Sequence, residues 1–109
     1  MIDYADFLQV EIHTGTITAA RRHPRARQPA YILTVDFGAL GVKTSSAQLT
    51  VNYTAEELVG QQIVAVTNFP PKRIAGVKSE VLILEAVDEE HDVVLIAPLS
   101  TMEDGTRIL

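Results

Sequence analysis

The chain has no cysteine and no tryptophan. Neither a disulfide framework nor thiolate chemistry is open to it, and a cysteine-ligated zinc ribbon is excluded. Positive charge is scarce as well, since 9 Lys and Arg face 14 Asp and Glu for a formal net charge of -5. No apolar run approaches the roughly 18 residues that a membrane-spanning helix requires. The opening "MIDYADFLQV" carries Asp3 and Asp6 where a secretory signal would carry basic residues. The expectation is a soluble chain without membrane insertion, not exported and compatible with a reducing cytoplasm.

Signals for chemistry are equally thin. His13, His23 and His91 stand far apart without H-E-x-x-H spacing, and Ser45 and Ser46 lack the G-x-S-x-G turn that exposes a nucleophile. The acidic run "EAVDEEHD" lacks the alternating ligands and central glycine of a calcium loop and reads as a solvated hairpin turn. The chain is therefore expected to be no enzyme and to hold no metal or cofactor.

What is present suits one domain around one modest core: 109 residues, 47% of them apolar and 21% charged. Most of it reads as strand. "VEIHTGTITAARR" alternates from Val10 through Ile12 and Thr14, with Gly15 as a bulge or sharp bend. "AYILTVDFG" puts Tyr31, Leu33, Val35 and Phe37 on one face, Ile32, Thr34 and Asp36 on the other, and stops at Gly38. "GVKTSSAQLTV" reads as its hairpin partner. The period then changes at "TAEELVG", where Thr54 as N-cap, Glu57 as its capping-box partner and Gly60 past the end predict one short helix. "QQIVAVTNF" and "SEVLILEAV" follow as two strands, and "VVLIAPL" pairs back across the acidic turn.

Three strands, a helix and at least two more strands is the order of an OB-fold, a five-stranded Greek-key barrel that is all-β with one short helix. A plain β-sandwich is the structural rival. OB-folds bind oligomers across strands two and three, between the loop joining strands one and two and the loop joining strands four and five. Here those loops are "RRHPRARQP", with Arg21, Arg22, Arg25 and Arg27, and "PPKRIAGVK", with Lys72, Arg73 and Lys78. Seven of the 9 Lys and Arg fall in these two segments, which contain no acid. Two basic loops far apart in sequence would thus flank one cleft.

The blocks "HPRARQPAYILTVDFG", "KTSSAQLT" and "NFPPKRIAGVKSE" resemble the CsaA-type export chaperones and, more distantly, the tRNA-binding OB domains appended to methionyl- and phenylalanyl-tRNA synthetases. The tRNA-binding branch ends its strand-three motif in Ser-Gly-Leu and its loop block in Ser-Glu-Gly-Met. This chain has Ala47-Gln48-Leu49 and Ser79-Glu80-Val81-Leu82 there, which is nearer to CsaA. The resemblance implies a homodimer without catalytic activity that binds unfolded preproteins and SecA. The alternative it carries is binding of tRNA or structured RNA in the same cleft.

Candidate binding residues are Arg22, Arg25, Arg27, Lys43, Asn68, Phe69, Lys72, Arg73, Ile74, Lys78 and Ser79. Several have a purely structural reading beside the functional one. Phe69 and Val77, single apolar residues next to strands, fit the core better than a surface patch. Asn68 before two prolines fits a turn cap, and Gly76 a loop needing positive φ. Beyond the barrel, an amphipathic start (residues 1–9, with Ile2, Tyr4, Phe7 and Leu8) and an apolar end (98–109, with Ile108 and Leu109) are expected to pack against a second protomer.

Overall fold

The computed structural model describes residues 1–109. After a short helix α1 (Tyr4–Leu8), β1 (Ile12–Arg22) pairs antiparallel with β4 (Gln62–Val66) along its first half and with β2 (Tyr31–Asp36) along its second. β3 (Val42–Ala47) continues from β2 in the hairpin the sequence predicts. The alternation of β2 is realised as read: Tyr31, Leu33, Val35 and Phe37 all belong to the core, together with Ile17, Leu49, Leu58 and Ile63. Each such apolar side chain stabilises the fold by about 1.5–3 kcal/mol through burial.

The bend in β1 does not fall where the glycine suggested. The β1–β2 register shifts between Ile17 and Ala19, so the extra residue is Thr18 rather than Gly15. Gly15 is required for a different reason: a Cβ there would lie 2.7 Å from the Phe37 ring and from Val35 Cγ1, both wholly buried. At Gly38 the chain takes φ +62 to enter the turn before β3, and the Asp36 carboxylate accepts its amide at 2.8 Å.

Helix α2 (Ala55–Leu58) is closed by the expected capping box, with Thr54 Oγ1 accepting the Glu57 amide (3.3 Å) and Glu57 Oε1 accepting the Thr54 amide (2.7 Å). It seats the fully buried Leu58 under the barrel.

The predicted fifth strand, "SEVLILEAV", is broken into three pieces. Its first residue ends β6 (Val77–Ser79), its middle is β7 (Leu82–Ile83), which pairs with β4, and its end is β8 (Glu85–Asp88), which pairs with β9 (Asp92–Leu95). The breaks have a cause. Ser79 and Glu80 turn aside to close the barrel against β3: the Glu80 amide donates to Thr44 O (2.8 Å), Glu80 Oε2 accepts the Thr44 amide (2.9 Å), and Ser79 Oγ accepts the Ser46 amide (3.1 Å). The sheet order β3-β2-β1-β4-β7 thus curls into a nearly closed five-stranded barrel.

The C-terminal segment is sewn along β1. Thr14 donates to Thr106 O (2.9 Å) and accepts from the Gly105 amide (2.8 Å), and the Ile108 amide donates to Ile12 O (2.8 Å). Ile2, Tyr4, Leu99 and Leu109 nevertheless remain exposed. No helix is long and apolar enough to cross a membrane.

Candidate binding cleft

The second basic loop is itself a hairpin. β5 (Lys72–Ile74) pairs with β6 through the turn Ala75–Gly76, in which both residues have positive φ (48 and 85), the conformation expected for Gly76. The pairing sets Arg73 directly opposite Lys78. Like charges opposed across a strand pair repel, and Arg73 finds only the Gly76 carbonyl (3.3 Å). The hairpin therefore presents cations that no acid of this chain neutralises.

The first basic loop meets it. Arg21, Arg25, Ala75, Gly76 and Val77 line one depression, and a Cβ built on Gly76 would stand 4.0 Å from the Arg25 guanidinium. The residue that joins the loops is His23, which sequence reasoning passed over. It is buried, its Nε2 donates to Ala75 O (3.3 Å) because a carbonyl can only accept, and its Nδ1 pairs with Ser46 Oγ (3.1 Å), a hydroxyl able to bond it in either direction. Its place between two arginines and a proline was the only sequence signal. The fold thus brings the two basic loops together as the OB reading required.

Beside this junction lies a larger groove of about 480 Å³ between β3, the β5–β6 hairpin, β7 and the β8–β9 hairpin. Phe69, Ile74, Val81 and Leu82 form much of its wall, Lys72 stands on its lining, and Ser45, Ser46 and Ser79 contribute to it where β3 approaches β6. Phe69 is 49% exposed and Leu82 50%, so the core reading of Phe69 does not hold: it follows the end of β4 and, with Pro70, lines the groove and not the barrel interior. Val77 is half-buried.

The remaining candidates are placed as follows. Arg22 stacks on the Tyr31 ring at 5.7 Å, and Arg27 is exposed. Asn68 is committed within the chain, its Oδ1 accepting the Glu11 amide (2.9 Å) and its Nδ2 donating to Gln9 O (2.8 Å). It ties the start of β1 to the end of β4 rather than capping its own turn. Ser79 is buried and bonded as described. Lys43 lies on β3 opposite Val35, two residues before Ser45, and is not among the residues that line the groove or the junction of the basic loops. Glu85, Val81 and Leu82 are groove residues that the sequence did not single out, because they sat inside what read as one uniform strand.

Comparison with known proteins agrees with this architecture. The family described as "Putative tRNA binding domain" matches residues 12–107. The crystal structure of chaperone CsaA from Bacillus anthracis superposes with a TM-score of 0.95 and 53% identity over 100% of this chain and 99% of that one. CsaA from Picrophilus torridus gives 0.93 and 44%, covering 100% of both chains. A methionine–tRNA ligase of Porphyromonas gingivalis is 32% identical over 98% of this chain, which spans only 15% of that enzyme's length. Neither the family nor the CsaA structures describe a catalytic domain. The chain belongs to the tRNA-binding-domain family of OB-fold proteins, with CsaA-type proteins among its full-length relatives.

Proposed function

We propose that the chain is a non-catalytic, chaperone-like protein that holds unfolded or export-bound polypeptides in the groove between β3, β7 and the two hairpins. The observation that carries this is the exposure of Phe69 and Leu82 on an apolar groove of about 480 Å³. Large apolar side chains left bare on a concave surface rimmed by charge are what a ligand with apolar segments would cover. The full-length likeness to proteins titled chaperone CsaA supports the same reading, and with it preproteins and SecA enter as the partners to test. Leu82→Asp, at a half-exposed position, puts a charge into the groove and should abolish binding of a reduced, carboxymethylated polypeptide without lowering the melting temperature by more than a few degrees. Unchanged affinity would remove the groove from the site.

A second reading rests on a separate observation. The opposed Arg73 and Lys78, with Arg25 beside Gly76, form a cationic ridge paired with no acid of this chain, and the family description supports tRNA as a ligand. On this reading RNA phosphates track the ridge, outside the apolar groove.

The bare Ile2, Tyr4, Leu99 and Leu109 support association of two copies through the N- and C-terminal extensions, 1–9 and 98–109.

A further inference from the structure

Glu85 opens β8 and lines the same groove as Phe69, Ile74 and Leu82. Its Oε2 is shielded from solvent and receives no hydrogen bond; of the buried side-chain oxygens and nitrogens it alone lacks a partner. Burial pushes the carboxyl's pKa above its usual value. The other charged groups on the groove do not relieve it. Lys72 makes no ion pair with it, and Glu80 is spent on the Thr44 amide. On the facing strand, Leu95 sits opposite Glu85 in the register and gives its amide to the Tyr53 hydroxyl. Of the two acids on the groove, Glu85 is thus the one left without a hydrogen bond to Oε2 and without an ion pair. An uncompensated carboxylate in such surroundings is costly, and a cationic ligand group offsets that cost.

We infer that Glu85 makes the groove selective for polypeptide segments in which a lysine or arginine stands among apolar residues. The aliphatic stem of the basic side chain lies on Phe69, Ile74 and Val87, and its cationic head meets the Glu85 carboxylate. A long side chain with an apolar stem and a charged tip suits a surface with an apolar wall and one unpartnered acid. The inference rests on the polypeptide reading of the groove, and it explains how a site flanked by basic loops would still accept a positively charged segment. Discrimination comes from one close contact, not from the overall charge of -5, and so resists screening by salt better than long-range attraction does.

The test uses two labelled peptides, identical and mostly apolar except that one central residue is lysine in the first and norleucine in the second. Both are titrated by anisotropy against the wild type and Glu85→Gln in moderate salt. The wild type should prefer the lysine peptide by about tenfold, the scale of one charge-assisted contact. In Glu85→Gln the ratio should fall to about one through loss of lysine-peptide affinity, with norleucine-peptide affinity kept or raised. Equal binding of both peptides by the wild type, a measurement that needs no variant to fold, overturns the inference and leaves the polypeptide reading standing. A lysine preference that survives Glu85→Gln also overturns it. If neither peptide binds, the polypeptide reading itself fails and takes the inference with it; an oligoribonucleotide whose affinity depends on Glu85 would then make the groove a base pocket.

Discussion

Phe69→Ala separates binding from folding. The side chain is 49% exposed, and a phenylalanine can bury roughly 150–250 Å² in all. About 100 Å² is therefore left for a ligand to cover. At roughly 25 cal/mol per Å², full coverage is worth about 2.5 kcal/mol, or on the order of 60-fold in affinity; coverage of half of it is still worth about eightfold. The cost to the fold is smaller, because the ring packs on the barrel with only part of its surface and its removal opens the groove to water without leaving a sealed cavity. The assay is anisotropy of a labelled, carboxymethylated polypeptide, with thermal unfolding followed by circular dichroism on the same samples. An eightfold to 60-fold loss of affinity with a nearly unchanged melting curve is expected. Affinity within twofold of the wild type, from a variant that melts normally, would refute the assignment of the groove as the polypeptide site.

Three further outcomes are expected. Gly15→Ala would push a methyl group to 2.7 Å from the buried Phe37 and Val35; overpacking of this kind costs about 1–3 kcal/mol, and the melting temperature should fall by on the order of 10 °C. Burial holds the His13 pKa below its ordinary value, with Glu11 opposing and Arg107 reinforcing the shift. The folded chain thus binds that proton more weakly than the unfolded chain, so the contribution of His13 is whole above about pH 6.5 and is lost as pH falls through its lowered folded-state value. His13→Gln should flatten the dependence of melting temperature on pH between about pH 7 and pH 5, and an unchanged slope would assign acid sensitivity to other groups. Light scattering at micromolar concentration should give the mass of two chains, and Tyr4→Asp, at an exposed position, should reduce it to one; a monomeric wild type would exclude the extensions as a dimer interface.

The parts of the fold that were legible in the sequence are those decided locally. The Thr54–Glu57 capping box and the alternation of β2 each lie within one short window, and both form as read. The division of "SEVLILEAV" was not legible, because it is imposed by Thr44 and Ser46, more than 30 residues earlier, which draw Ser79 and Glu80 out of line. The same holds for Asn68, whose partners Glu11 and Gln9 precede it by 57 and 59 residues. The meeting of the basic loops followed from strand order alone. The identity of the groove wall did not, since Phe69 and Leu82 cannot be told from core residues until the barrel has been closed without them.

The central claim, that an apolar groove holds unfolded polypeptide beside a separate cationic ridge, is tested most directly by titrating one sample with carboxymethylated polypeptide and with bulk tRNA across a salt series. Contact through Phe69, Ile74 and Leu82 releases few ions, so polypeptide affinity should vary little with salt. Three phosphate contacts, to Arg25, Arg73 and Lys78, would give tRNA a log-log slope of about -2 to -3. Polypeptide binding should persist at physiological salt, and tRNA binding should fall away along that slope. Tight tRNA binding that survives high salt, with no detectable affinity for the unfolded polypeptide, would contradict it.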